Sequence, residues 1–217
     1  MPNSRSSLSA VPEVETGSAT ERILSAARRH LFAYGYNALT MDDLAHELGM
    51  SKKTLYLHFP GKDAIIATII EEMGRTIRQE LEAVLSQPKL SFYQKLRTIV
   101  DIIVPRISLL SPAILRELQR YAPKIHDMID ELRQKNIPLV FGRLFRSGVN
   151  EGALRPEIDP DFAAQFWLQA IRGLVHPDTL AVIHLSPRQT LEKALELFTG
   201  GLLTPAGRKD YEKLFPL

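Results

Sequence analysis

Residues 40–62 read TMDDLAHELGMSKKTLYLHFPGK, and this stretch decides the fold of the first third of the chain. Thr40 is a preferred N-cap residue, and Asp43 stands three positions after it, as in a capping box. The apolar residues between Thr40 and Gly49 recur at helical spacing. Gly49 can end this helix, and Ser51 can cap a second helix two residues later. The stretch therefore predicts two short helices joined by a tight turn.

The second of these helices carries only positive charge. Its charged residues are Lys52 and Lys53, and Lys62 opens the helix that follows. A short helix whose first turn presents lysine and threonine, backed by Tyr56 and His58, suits phosphate contact and the reading of base edges in the major groove. The stretch therefore predicts binding to double-stranded DNA.

Composition shows that this binding must depend on local charge. The chain has 217 residues and a net charge of only +2, from 27 basic and 25 acidic residues. The chain contains no cysteine, which excludes disulfides, thiolate metal ligands and cysteine nucleophiles. Apolar runs stay short of the roughly 18 residues that span a bilayer, and the N-terminal segment lacks the apolar core of a signal peptide. We expect a soluble, cytoplasmic protein.

The rest of the chain is predicted to be helical, because sustained period-two alternation between hairpin turns is missing. Residues 1–17 are rich in serine and proline and predict a disordered tail. Three Ser-Pro or Asp-Pro pairs, at Ser111, Asp159 and Ser186, mark helix starts. Pro105 and Pro138 fall inside predicted helices and should kink or break them. The expected helices lie near 20–34, 40–48, 51–59, 62–86, 90–109, 112–121, 124–150, 160–175 and 187–202.

The helices at 160–175 and 187–202 have apolar faces wider than a single stripe. Pairing with the same helices of a second copy would form a four-helix bundle across a two-fold axis. The alternative is that they are central core helices of a monomer. The residues assigned to the dimer contact are Phe162, Phe166, Ala170, Leu174, Leu191, Ala194, Leu195, Phe198 and Leu202.

Residues 18–78 resemble the TetR family of bacterial transcriptional regulators (TetR/AcrR-type). The resemblance is carried by the break at Gly35-Tyr36, the Thr40 cap, the Ala45…Gly49…Ser51 core of a helix-turn-helix at about 40–59, and the run TLYLHF followed by Lys62. It implies an all-α protein with an N-terminal three-helix DNA-binding domain at 18–78. A long helix would join this domain to a helical effector-binding and dimerisation domain at 79–203, followed by a C-terminal tail at 204–217.

The resemblance also implies a role for each residue of the motif. The residues that it places against DNA are Thr40, Ser51, Lys52, Lys53, Thr54, Tyr56, His58 and Lys62. Lys52, Lys53 and Thr54 should face base edges, and the others should hold phosphates or the backbone. Many relatives have a small residue where Lys53 stands, so Lys53 either shifts base preference or adds phosphate affinity. Tyr56 could instead be half buried, and His58 could bond within the domain.

In the distal domain the resemblance implies a cavity for a small, partly apolar effector. The residues assigned to it are Arg97, Asp101, Tyr121, Phe141, Phe145 and Trp167. The alternative is that the aromatic residues are ordinary core and the charged residues lie on the surface. The six histidines include no HxxxH pair, and the sequence holds no phosphate-binding or nucleophile motif. We therefore expect neither an enzyme nor a metal or cofactor site.

The sequence favours a homodimeric repressor that an effector releases from a palindromic operator. The effector would act by tilting the helix at 62–86. A ligand-independent activator or architectural DNA-binding protein is the alternative, and an enzyme or small-molecule carrier is a remote one.

Overall fold

The computed structural model describes residues 17–214, which fold into eleven helices joined by short loops. In chain order they are α1 Ala19–Tyr34, α2 Met41–Glu47, α3 Lys52–His58, α4 Lys62–Leu85, α5 Phe92–Leu109, α6 Pro112–Tyr121, α7 Pro123–Asn150, α8 Pro160–Leu174, α9 Pro177–Ile183, α10 Pro187–Leu202 and α11 Pro205–Leu214. The extended pairing within residues 17–214 is a single β-bridge between Leu154 and Leu203. The predicted all-helical class is confirmed. The predicted tail at 1–17 lies, except for Gly17, outside the described residues.

Side-chain caps and prolines set most of the helix starts. Ser18, Ser91 and Ser186 each form a capping box with the residue three positions on. Proline occupies the first turn of six consecutive helices, α6 to α11, where its missing N–H leaves no hydrogen bond unmade. Two helices were not predicted, namely α9 and α11. The second of these lies where the sequence suggested a tail.

Neither internal proline ends its helix. Pro105 lies within α5 and Pro138 lies within α7, and both helices continue for at least one turn beyond them. A proline inside a helix removes one backbone hydrogen bond. The buried neighbours Val104 and Val140 hold the flanking turns in the core, so tertiary packing outweighs this loss. The expected breaks are therefore wrong.

The buried residues form two cores. The distal core joins α5, α7, α8 and α10 around Phe92, Phe145 and Trp167. The N-terminal core joins α1 to α4 and is completed by apolar residues of α6 and the first turns of α7, namely Ile114, Leu118, Ala122, Ile125 and Ile129. The DNA-binding unit expected from the sequence therefore shares its core with two helices of the distal half.

The long helices do not reach the length and composition of a membrane span. Within residues 17–214 no single helix is long and apolar enough to cross a bilayer, and α5 and α6 reach that limit only together, across a bend of 62°.

Candidate nucleic-acid interface and internal cavity

The turn between α2 and α3 is held by local hydrogen bonds at each end. Thr40 caps α2 by accepting from the Asp43 backbone N–H (3.1 Å), and its hydroxyl donates to the Asp43 carboxylate (2.6 Å). Gly49 adopts φ +61°, a left-handed conformation that suits glycine. Ser51 then caps α3 by accepting from the Thr54 N–H (3.0 Å). The predicted helix–turn–helix geometry is confirmed.

Helix α3 turns one face inward and the other outward. Leu55 and Phe59 are buried in the N-terminal core and fix the helix against α1 and α2. The outward side chains are those of Lys52, Lys53, Thr54, Tyr56, Leu57 and His58, all of them exposed. A helix anchored on two apolar residues and open along the rest of its surface can enter a DNA groove without rearrangement.

The two lysines of α3 differ in their electrostatic surroundings. Lys52 Nζ lies 2.7 Å from the Asp42 carboxylate, and this hydrogen bond raises the pKa of Lys52. Lys53 makes no ion pair or side-chain hydrogen bond with any residue between 17 and 214. Its charge is therefore the least compensated on the outward face of α3. The sequence did not indicate this difference, because Asp42 belongs to the preceding helix.

Two other motif residues make contacts within the protein, and a third, Tyr56, is partly exposed. Thr54 Oγ1 lies 2.8 Å from Ser51 Oγ. His58 Nδ1 lies 3.3 Å from Thr20 Oγ1, which agrees with the alternative that His58 bonds within the domain. Each of these residues still has polar atoms that can reach a phosphate.

Lys62 is anchored by Tyr36 at the start of α4. Its Nζ donates to the Tyr36 carbonyl (3.1 Å) and lies 4.0 Å from the centre of the Tyr36 ring. The Tyr36 hydroxyl donates to Asp63 (2.7 Å). Burial, together with this hydrogen bond, raises the pKa of Tyr36 to about 12. The cluster fixes the position of the Lys62 ammonium while leaving some of its donors free for a phosphate.

A cavity of about 180 Å³, partly open to solvent, lies between α4, α5, α7, α8 and α10. Phe141 and Trp167, two of the residues assigned to an effector cavity, line it. The polar residues at its wall are Arg106, Arg133 and Asn136. Its apolar lining residues include Ile70, Met73, Ile77, Leu81, Ile99, Ile103, Ile129, Val140, Ile171, Leu191 and Leu195.

Four of the residues assigned to the cavity lie elsewhere. Arg97 and Asp101 form an exposed ion pair one turn apart on α5 (3.1 Å) and line only a surface depression. Tyr121 is half exposed at the end of α6. Phe145 is buried in the distal core, packed against Phe141 and Phe198, and does not reach the cavity. These assignments are wrong because charge and aromatic character do not reveal which side of a helix faces a void.

The comparisons with known proteins identify the fold and its motif. Residues 23–69, from α1 into α4, match the family model described as bacterial regulatory proteins of the tetR family. This stretch of the chain carries the DNA-binding motif of the TetR family. The chain's relatives and structural neighbours are transcriptional regulators and not enzymes, and this chain is a DNA-binding transcriptional regulator of the same kind.

Several TetR-type regulators resemble the chain over most of its length. The HTH-type transcriptional regulator YvaF of Bacillus subtilis is 22% identical over 182 residues, covering 84% of this chain and 94% of the relative. The HTH-type transcriptional repressor BepR of Brucella suis is 24% identical, covering 76% of this chain and 82% of the relative. The structure of SmeT, repressor of a Stenotrophomonas maltophilia multidrug efflux pump, superposes with a TM-score of 0.64 at 19% identity, covering 87% and 92% of the two chains. SmeT with triclosan gives a TM-score of 0.61.

Helices α8 and α10 each have a buried and an exposed side. Leu191, Ala194, Leu195 and Leu202 are buried within the protomer, and Leu191 and Leu195 line the cavity. These four are therefore covered by their own chain and do not form an exposed dimer surface. Phe162 is 70% exposed and Phe166 is 56% exposed, while Ala170, Leu174 and Phe198 are half-buried beside them. Leu197, which the sequence pattern did not single out, is 81% exposed.

A polar contact joins the distal domain to the DNA-binding unit. The Glu117 carboxylate of α6 accepts from the Asn37 backbone N–H (3.0 Å), in the turn between α1 and α2. Gly35 in the same turn has φ +93°, and a Cβ there would lie 2.8 Å from the Glu117 carboxylate. The positive φ explains why glycine occupies this position, since L residues with a side chain rarely adopt it.

Proposed function

We propose that this regulator is a homodimeric repressor that binds a palindromic operator through α3 and is released by a small-molecule effector. The observation that carries the proposal is the outward face of α3, where Lys52, Lys53 and Thr54 stand in the first turn beside the half-exposed Tyr56. Lysine donors suit guanine O6 and N7, and the threonine methyl suits the thymine methyl. Thr40 and Lys62 flank this face and are the candidate phosphate contacts.

A second copy of the chain is the proposed partner of α8 and α10. The residues offered for this contact are Phe162, Phe166, Phe198 and Leu197, which leave an apolar strip on two adjacent helices. Large apolar residues exposed on neighbouring helices are typical of interaction surfaces. A two-fold bundle would hold two α3 helices at one fixed separation, which sets the spacing of the operator half-sites.

The cavity supports an effector-responsive repressor over a ligand-independent one. Helix α4 begins at Lys62, beside the proposed DNA contact, and its later turns supply Met73, Ile77 and Leu81 to the cavity wall. A ligand that displaced these residues would move the start of α4 as well. The complex of SmeT with triclosan and the repressor name of BepR favour the same interpretation. A coupling free energy of about 2 kcal/mol would change operator affinity roughly thirtyfold.

The test is selection of DNA from a random duplex pool by the purified protein, followed by titration of the selected site and a scrambled duplex at physiological salt. We expect a two-fold symmetric site and a clear preference for it. Thr54→Ala should weaken binding to the selected site more than to the scrambled duplex. Lys62→Ala should weaken both alike. Equal affinity of the unaltered protein for the two duplexes would overturn the sequence-specific function.

A further inference from the structure

The cavity wall carries one positive charge that forms no ion pair within residues 17–214. Arg106 donates to Glu80 (2.7 Å) and to the carbonyl of Ile102 (2.7 Å), so its charge is paired. Arg133 stands on the adjacent helix α7 and has neither a hydrogen bond nor an ion pair with any residue in the described range 17–214. Arg133 is therefore a partly buried guanidinium with five free donors.

The acid that could neutralise Arg133 is already occupied. Asp130, one turn earlier on α7, accepts two hydrogen bonds from Arg172 of α8 (2.6 and 3.0 Å) and one from Gln134. Burial acts to raise the pKa of Asp130, but these hydrogen bonds outweigh it and lower the pKa below its usual value. Burial also lowers the pKa of Arg133, as expected for a cation withdrawn from water. Asp130 and Arg172 neutralise each other, so the +1 charge of Arg133 remains.

Asn136 lies three residues after Arg133, on the same face of α7, and also lines the cavity. Its Oδ1 is buried without a partner, and its amide makes no hydrogen bond with the described residues. Buried polar atoms are normally paired, so an unpaired amide beside an unpaired guanidinium indicates a missing polar group. Rotation of the amide would present its NH₂ to an oxygen acceptor.

We propose that the effector is a small monocarboxylate with an apolar body, whose carboxylate pairs with Arg133 and accepts from Asn136. This inference rests on the proposed effector-responsive function. One uncompensated charge matches a monoanion, while a phosphate monoester would bring more negative charge than the wall can match. Guanidinium and carboxylate fit each other through two parallel hydrogen bonds.

The size of the cavity limits the apolar body. Its volume is about 180 Å³, and the remaining lining is aliphatic or aromatic. A protein cavity of roughly 150 Å³ accommodates benzene. The body should therefore contain about six to ten heavy atoms, as in a medium-chain fatty acid.

The probes are octanoate, 1-octanol and octylammonium, titrated calorimetrically into the full chain without DNA. We expect octanoate to bind about tenfold or more tightly than octanol, because only the carboxylate forms charge-assisted hydrogen bonds. Octylammonium should bind most weakly. Arg133→Gln should abolish the preference for octanoate over octanol. The matched control is Arg143→Gln, an exposed arginine on the same helix, which should keep it.

Two binding results would overturn the proposal. One is an octanoate affinity no better than that of octanol in the unaltered protein, including no binding of either. The other is a preference that survives in Arg133→Gln. Thermal melting checks the variant itself: Arg133→Gln should melt at a temperature at least as high as that of the unaltered protein, since Arg133 has no hydrogen bond or ion pair within residues 17–214 to lose. A lower melting temperature would show that Arg133 stabilises the fold, against the proposal. Operator binding without ligand should be equal in all these proteins. A negative result in the ligand titrations would therefore leave the proposed DNA-binding function intact.

Discussion

Lys53 is the residue through which the charge of α3 can be tested most directly. It is exposed in the first turn of the helix, and its ammonium has no ion-pair partner among residues 17–214. Replacing it with a neutral residue removes one positive charge and leaves no acidic side chain without its partner. If Lys53 contacts a phosphate, each protomer of a dimer loses one contact, and the slope of log affinity against log salt falls by about 0.9 per contact. Lys53→Gln should therefore flatten the slope by about 1.8.

The change in salt slope sets the size of the expected change in DNA affinity. Between 50 and 200 mM salt, a slope difference of about 1.8 changes the affinity ratio of the two proteins about twelvefold. The unaltered protein should bind much more tightly than Lys53→Gln at low salt, and the difference should narrow as salt rises. Fluorescence anisotropy with a labelled operator duplex and a scrambled duplex measures both slopes. Lys209→Gln, which removes an exposed lysine of α11, is the matched control for net charge.

Two outcomes can be separated by the scrambled duplex. A slope change on both duplexes means that Lys53 contacts the backbone. A loss confined to the operator, with the slope unchanged, means that Lys53 reads a base. If Lys53→Gln and Lys209→Gln are indistinguishable on both duplexes, Lys53 does not face DNA and the assignment of the outward face of α3 is refuted.

Three further predictions concern the ion pair of Lys52, the buried Tyr36 and the proposed dimer surface. Asp42→Asn should raise affinity for operator and scrambled duplexes alike in anisotropy titrations, because it frees Lys52 and removes a negative charge, whereas Asp101→Asn, which also breaks an exposed ion pair, should not. Because the pKa of Tyr36 is about 12 when folded and about 10 when unfolded, its contribution to stability is present below pH 10 and is lost as pH rises from 10 to 12. The unaltered protein should thus lose about 1.4 kcal/mol per pH unit there relative to Tyr36→Phe in urea unfolding, and a constant difference would contradict this. Leu197→Glu should yield monomers in sedimentation, while Val182→Glu, equally exposed on α9, should leave the oligomeric state unchanged.

The DNA-binding motif could be predicted closely because its boundaries are set by local chemistry. Thr40 and Ser51 cap their helices with their own side chains, and Gly49 supplies the left-handed turn. Each of these signals needs only residues three or four positions apart. The same reasoning missed α9, whose cap is the uncommon His176 and whose end is His184 at φ +53°. A helix of seven residues is too short to show a periodic pattern.

The cavity and the dimer surface could be predicted only in part, because both depend on which helix covers which. Leu195 and Leu197 stand two positions apart on α10, yet one is buried at the cavity and the other is exposed. Both are leucine, so residue type does not show which one is buried. The pairing of Lys52 with Asp42 likewise depends on how two helices approach across a turn. Tertiary packing decides each case.

The two cores meet at the cavity, and this bears on how an effector could reach the DNA surface. Ile70 of α4 and Ile129 of α7 belong to the N-terminal core and also line the cavity. A ligand that displaces either residue must repack the core that holds Leu55 and Phe59 of α3. Because close-packed cores shift between discrete arrangements and do not deform smoothly, a small displacement at the wall is expected to move α3 as a unit. The coupling then runs through shared packing, and the hydrogen bond from Asn37 to Glu117 adds a second link between the same two halves.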